Sequence, residues 1–324
     1  MVLRKWVIVM NSPPYSNTVD SNNNTYSTDK MNIDLRISHD NEIYFYDDIS
    51  RLKRFIPNLN ISEEDTRSFR YPYVCTKKYI DDRGKQYAFL TLKMFKPGKN
   101  NEYYYNVVFN PNKFFNSEEC RKDLYTILSL ADSYTIRSID IAVDIPIEKN
   151  FVNLMKDRRS KLEYIASKDD TSEYLGKNRN AIGHVKLYDK QKECKLSSPL
   201  TRCEITLGNP LKDGWIQKVL HSLPKVIIRS KECTKTNLYS SLKDTEKVLI
   251  ELLRKDDEKI KYFQRLGYKM KKKLAPYVFT DDKEFEFDLN AIADAADKTV
   301  KAISFDFATL RNDCFINKHP VSLQ

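Results

Sequence analysis

Residues 136–146 read IRSIDIAVDIP, and the alternation in this stretch decides the fold. Successive side chains of a strand point to opposite faces. Ile139, Ile141, Val143 and Ile145 therefore share one face, and Ser138, Asp140, Ala142 and Asp144 share the other, with Pro146 ending the strand. Two later stretches repeat the pattern. In HVKLYDK (184–190), Val185 and Leu187 oppose His184, Lys186, Tyr188 and Lys190. In TRCEITL (201–207), Cys203, Ile205 and Leu207 oppose Arg202, Glu204 and Thr206. If the three strands share a sheet, their apolar faces point to a common core and the three polar faces gather on one side.

Working outward, NIDLRI, EIYFY, AFLTLKMF (88–95) and YYYNVVFN (103–110) read as further strands, the last two separated by the turn PGKNN. SEECRKDLYTILSLADSY reads as a helix: Ser117 stands at the N-cap, two glutamates fill the first turn, and Cys120, Leu124, Ile127, Leu128 and Ala131 follow helical spacing. NFVNLMKDRRSKLEYIA also reads as a helix. SEYLG and HVKLYDK read as a hairpin around Gly176 and Gly183. Residues 11–30, NSPPYSNTVDSNNNTYSTDK, are poor in large aliphatics and read as loop. From about Lys212 basic helical segments take over, and the acidic DDKEFEFDLN (281–290) reads as the start of a separate C-terminal piece. The expected organisation is a flexible arm over 1–30, an α+β domain with a central antiparallel sheet and flanking helices over 31–210, and a basic helical region over 211–324.

Composition narrows the function. The chain of 324 residues carries a net charge of +10 and a pI near 9.0, which favours nucleic acid or another polyanion as partner. The seven glycines form neither a G-x-x-x-x-G-K-[ST] nor a G-x-G-x-x-G loop, which disfavours nucleotide-driven chemistry. The six cysteines include no C-x-x-C pair, which argues against a zinc module and for reduced thiols. The N-terminal apolar run MVLRKWVIVM stops at NSPPYSN, too short for a signal-peptide core, and no segment reaches the ~20 apolar residues of a membrane helix. A cytoplasmic protein is expected.

The polar face collects the chemistry. Asp140, Asp144, Glu204 and His184 offer ligands for Mg²⁺ or Mn²⁺. Asp140 and Asp144 lie ~13 Å apart along a regular strand, so one of the two is expected at the ion and the other beside it. Tyr188 is a candidate nucleophile, with Lys186 and Lys190 one strand step away to favour its phenolate and bind phosphate. The lysine run KMKKKL, with Lys269, Lys271, Lys272 and Lys273, offers phosphate contacts. Each feature has a plainer reading: Tyr188 as a strand former, the aspartates as salt-bridge partners, His184 as a capping or surface histidine, Glu204 as a partner of Arg202, the lysine run as a solvated helix end. Their shared face is what raises the catalytic reading.

The blocks VVFNPNKF, IRSIDIAVDI, EYLGKNRNAIGHVKLYDKQKE and TRCEITL, in this order over roughly residues 105–210, resemble the Rep-trans plasmid rolling-circle replication initiators, relatives of the HUH endonucleases. The resemblance implies an α+β replication initiator fold with a central antiparallel sheet and flanking helices, in which Tyr188 is the nicking nucleophile and Asp140, Asp144 and Glu204 hold the metal. It implies origin-specific single-strand nicking and closing through a covalent 5′-phosphotyrosine, a homodimer, duplex origin DNA with an extruded single-stranded nick site, and a host helicase as partner. Where the family commonly has arginine two residues before the tyrosine, this chain has Lys186, and the hairpin loop reads KNRNAI instead of carrying Arg-Asp-Ser. A conjugative relaxase of an integrative element would use the same chemistry on a transfer origin. A non-catalytic DNA-binding regulator would share the fold without it. A tyrosine recombinase is disfavoured, since no H-x-x-R box accompanies the tyrosine.

Overall fold

The computed structural model describes residues 17–38, 42–63, 73–95, 102–155, 157, 159, 162–166, 171–176, 178, 181–228, 242–255, 260–278 and 283–318. In chain order the elements are β1 (Thr18–Val19), β2 (Thr25–Ser38), α1 (Glu42–Phe55), β3 (Asn60–Glu63), β4 (Tyr73–Ile80), β5 (Gln86–Phe95), β6 (Glu102–Phe109), α2 (Pro111–Phe114) and α3 (Glu118–Leu128). Then come β7 (Ser133–Ile145), β8 (Val152–Leu154), β9 (Leu162–Ala166), β10 (Thr171–Leu175), β11 (Val185–Asp189), α4 (Lys190–Cys194), β12 (Thr201–Gly208) and α5 (Trp215–Ser222). The chain continues through β13 (Val226–Ile228), α6 (Asp244–Lys255), α7 (Ile260–Arg265), α8 (Tyr268–Val278), β14 (Lys283–Glu284) and α9 (Leu289–Lys318).

The architecture is α+β. An eleven-stranded sheet runs β3-β4-β5-β6-β2-β7-β12-β11-β10-β9, with β1 paired to β2, and the neighbouring strands pair antiparallel. The expected faces of β7, β11 and β12 are observed: Ile139, Ile141, Val143, Ile145, Val185, Leu187, Cys203, Ile205 and Leu207 are at most 1% exposed. Burying each aliphatic side chain contributes roughly 1.5–3 kcal/mol relative to leaving it in water, so a one-residue slip, which would turn these faces outward, is strongly disfavoured. Helices cover this face. Ser117 caps α3 as expected, accepting from the Cys120 amide.

Four expectations are corrected. The stretch read as an arm contains the start of β2, the strand paired with both β6 and β7; residues 1–16 lie outside the described residues. Tyr26 and Thr28 are fully buried, and α9 fixes both: the Asp288 amide donates to the Tyr26 hydroxyl at 3.0 Å, and Thr299 Oγ1 donates to Thr28 Oγ1 at 2.8 Å. Threonine and tyrosine are good strand formers, and here that property outweighs a loop-like composition. For the same reason residues 283–318 are no separate piece, because α9 seals the core against β2 and β7. EIYFY opens helix α1, whose Ile49 and Leu52 pack into the core together with Ile56 just beyond it; the five-residue window was too short to separate period two from period 3.6. NFVNLMKDRRSKLEYIA forms a 3-10 turn (Lys149–Phe151) followed by β8 and β9. Val152 and Leu154 are buried in the small sheet β14-β13-β8, and β9 pairs with β10. The turn PGKNN lies outside the described residues.

Helices α6, α7 and α8 build a second core from Leu242, Ile250, Leu253, Phe263, Leu274 and Val278, with Met155 against it. A buried joint ties them to the large sheet. Glu173 of β10 is fully buried and accepts from Lys149 Nζ at 2.6 Å, from the Leu154 amide at 2.8 Å and from Gln264 Nε2 of α7 at 3.3 Å. No helix among the described residues is long and apolar enough to cross a membrane.

Candidate functional site

The antiparallel register lays the polar face out in rows. Tyr188 stands opposite Arg202, which stands opposite Asp144, which stands opposite Thr25. The next row holds Lys186, Glu204, Ala142 and Ser27. In the third, Thr206 faces Asp140, which faces Lys30, while the backbone of Thr206 bonds that of His184 and places this histidine at the far end.

Tyr188 is therefore diagonal to Glu204, a separation of ~7–8 Å between backbones that an aromatic side chain spans. Its hydroxyl donates to Glu204 Oε1 at 2.7 Å. Lys186 Nζ lies 3.7 Å from the centre of the phenol ring, a cation–π contact, and Lys190 Nζ approaches the hydroxyl at 3.4 Å. Lys190 is also paired with Glu193 of the short helix α4, whose N-cap Asp189 accepts from the Lys192 amide.

Two features differ from the sequence expectation. Tyr188 is only 3% exposed, because the long stems of Lys186 and Lys190 and the neighbouring Arg202 stand around a ring that the alternation placed toward solvent. Its hydroxyl is also raised above the usual tyrosine range instead of lowered. Burial is the main cause and the Glu204 charge the next, with Arg202 opposing them. Tyr188 is thus a neutral phenol aimed at a carboxylate. Glu204, partly buried, is pushed up to about 7, first by burial and then by the charge of Asp29, against the opposing pull of Lys186, the Tyr188 hydrogen bond and Arg202.

Arg202 and Asp29 are the members that sequence reasoning did not single out. Arg202 Nε and Nη2 donate to the two oxygens of Asp144 at 2.6 and 2.7 Å, and its Nη1 donates to Asp29 Oδ1 at 3.1 Å. Asp29 reaches this face through a β-bulge: the pairing with β7 shifts between Thr28 and Lys30, so one extra residue is accommodated in β2. Asn110, at the end of β6, donates to Asp29 Oδ1 at 3.0 Å while its own Oδ1 caps α2 at the Lys113 amide. A polar chain thus crosses from β6 through β2 and β12 to β7. The sequence signal for Asp29 was the Thr25-Tyr26-Ser27-Thr28 alternation, masked by the asparagines before it.

The four expected metal ligands do not converge. Asp140 lies 3.3 Å from Lys30 Nζ, two rows from Asp144; burial raises its carboxyl despite the Lys30 charge. Asp144 is held by Arg202, and Glu204 accepts from Tyr188. His184 is buried at the third row, its ring 6.1 Å from that of Tyr174, beneath a turn whose Gly176 has φ of +110°. A Cβ there would be strained and would sit 3.5 Å from the histidine. Among the described residues no group of three or more His, Cys, Asp or Glu side chains is placed to hold a metal ion. In this arrangement the carboxylates of Asp140, Asp144 and Glu204 are held by Lys30, Arg202 and the Tyr188 phenol, so they do not form a ready ligand set for a divalent ion.

The lysine run lies on α8. Lys269 and Lys272 are exposed, Lys271 is half-buried, and Lys273 Nζ binds both oxygens of Glu246 on α6 at 2.7 and 2.8 Å. It belongs to the second core and contributes no side chain to the rows around Tyr188.

No protein-family model matches the chain, and no curated protein matches it in sequence. Among solved structures it is similar to a rolling circle replication initiator protein from Geobacillus stearothermophilus. The identity is 13% and the TM-score 0.32, over 66% of this chain and 90% of that one.

Proposed function

We propose that this protein nicks and rejoins a single DNA strand through a covalent bond to Tyr188, as a rolling-circle replication initiator does. The observation that carries the reading is the 2.7 Å hydrogen bond from the Tyr188 hydroxyl to Glu204, flanked by two lysine ammonium groups on a chain of net charge +10. A phenol is a poor nucleophile until a base takes its proton. Glu204 sits where that base must be, and a carboxylate held near neutrality suits the task. As the Tyr188 oxygen bonds to phosphorus, its proton passes to Glu204, and the bond from phosphorus to the 3′ oxygen breaks. The proton on Glu204 then serves the departing 3′ oxygen. Strand closing runs the same steps backwards, and the phosphotyrosine retains the energy of the broken linkage without a nucleotide. Lys190, 3.4 Å from the Tyr188 hydroxyl, is a further cation for the incoming phosphate.

The resemblance of the four sequence blocks directs the reading to an initiator acting at a plasmid or phage origin, with a homodimer and a host helicase as its expected partners; a relaxase would differ in its DNA and not in this chemistry. The test uses single-stranded oligonucleotides of randomised sequence. The protein is incubated with the pool, digested, and its peptide–DNA conjugates are mapped by mass. A conjugate on Tyr188 that is lost in Tyr188→Phe supports the reading. A conjugate on another residue, or a Tyr188→Phe protein that still nicks, removes it. Origin binding without any conjugate would favour the regulator.

A further inference from the structure

We infer that Arg202 is the group that grips the scissile phosphate, and that Asp29 is its positioning residue. The inference rests on the nicking reading of Tyr188 and adds to it the site's phosphate-binding element. A guanidinium has five N–H donors. In this structure Nε and one N–H of Nη2 go to Asp144 and one N–H of Nη1 goes to Asp29, which leaves one N–H on each terminal nitrogen. Those two N–H groups are donors that phosphate oxygens can take. Arg202 stands opposite Tyr188 on the neighbouring strand, so a phosphate on these donors would lie beside the nucleophile. Its side chain is 11% exposed, so solvent competes weakly for these donors.

The orientation is built by residues far apart in sequence. Asp144 holds Nε and Nη2 of the guanidinium and Asp29 holds Nη1. Asp29 is in turn pinned by Asn110, whose second contact is the cap of α2. Preorganised donors aimed at a transferring phosphoryl group are where most electrostatic catalysis arises. Lys186 is committed to the face of the Tyr188 ring, and as an ammonium it lacks the planar fork.

The test measures conjugate formation on the randomised single-stranded pool, as a function of DNA concentration, for the wild type, Tyr188→Phe, Arg202→Lys and Asp29→Asn, each checked for folding by its thermal midpoint. Arg202→Lys keeps the charge and loses the guanidinium's multiple donors; its maximal rate should fall on the order of a hundredfold, with a smaller change in half-saturating DNA. Asp29→Asn keeps size and loses the charge that holds Nη1; its maximal rate, measured well below the variant's thermal midpoint, should fall on the order of tenfold. Wild-type maximal rates in either folded variant overturn the inference, and so does a loss confined to the half-saturating concentration. Should Arg202→Lys not fold, Asp29→Asn decides alone. Absence of a Tyr188 conjugate in the wild type instead removes the nicking reading, and this inference with it.

Discussion

The Tyr188 hydroxyl and the Glu204 carboxylate meet at 2.7 Å although their strands pair Tyr188 with Arg202 and Glu204 with Lys186. The diagonal contact makes Glu204→Gln an informative substitution, because a glutamine oxygen still accepts from the phenol but cannot take its proton. Conjugate formation should fall by about 10²–10⁴, while binding of single-stranded DNA is retained. In the wild type the rate should drop as pH falls below about 7, where Glu204 becomes protonated, and the variant should lack that limb. A variant as fast as the wild type would show that Glu204 is no base.

The same group makes stability depend on pH. Glu204 is raised from an ordinary 4.5 to about 7 in the folded chain, by burial first. Between those values the native state binds a proton that the unfolded state does not, so this contribution is fully present below pH 4.5 and is lost as pH rises through about 7. Glu204→Gln should flatten the fall in unfolding free energy across that window in denaturant titrations. An identical slope in both proteins would place the titration elsewhere.

Lys149 and Glu173 are 2% and 0% exposed in their side chains. Removing one member of a buried pair strands the other charge, at a cost of about 3–5 kcal/mol. Lys149→Met should therefore lower the unfolding free energy by about that amount in urea titrations. The loss should shrink in the Lys149→Met, Glu173→Met double variant, because the stranded charge is gone. Additive losses would mean that the two side chains act independently.

Much of the sheet was legible because β7, β11 and β12 each bury one clean apolar face, and period two leaves no alternative for IRSIDIAVDI. The elements misread were those in which local composition and tertiary packing disagree. Tyr26 and Thr28 look like loop residues among asparagines and become core only because α9 arrives from more than 260 positions away. Lys149 and Glu173 belong to separate segments and pair only across the β8–β10 junction. The site was legible to the same degree. Alternation puts Tyr188, Lys186, Arg202, Glu204 and Asp144 on one face, but the register that sets Arg202 on Asp144 and Tyr188 on Glu204 is a property of strand pairing. Asp29 enters through a bulge, which no regular alternation contains.

The acidic groups of the polar face already have cationic or hydrogen-bonding partners: Asp144 and Asp29 share Arg202, and Asp140 has Lys30. With these partners standing where an ion would, EDTA should leave the thermal midpoint where it was. An ion resident at a hundred times its Kd would add about 2.7 kcal/mol, and a midpoint that rises with added Mg²⁺ or Mn²⁺ would reveal one.

On α8 the lysines divide by partner. Lys269 and Lys272 are exposed, beside Tyr268 at 78% exposure, whereas Lys273 is held by Glu246. Each phosphate contact contributes about 0.9 to the salt slope of duplex binding and about 0.7 to that of single strands. Replacing Lys269 and Lys272 together by glutamine should therefore reduce the duplex slope by nearly two if both meet the backbone, with nicking of saturating single strands unchanged, since neither reaches the rows around Tyr188. Lys273→Gln should act differently: it releases Glu246 and loosens α6 against α8, lowering the thermal midpoint with a smaller effect on the slope. A double variant whose slope matches the wild type would make the lysine run a solvated helix face, and would move the duplex contacts elsewhere on this basic chain.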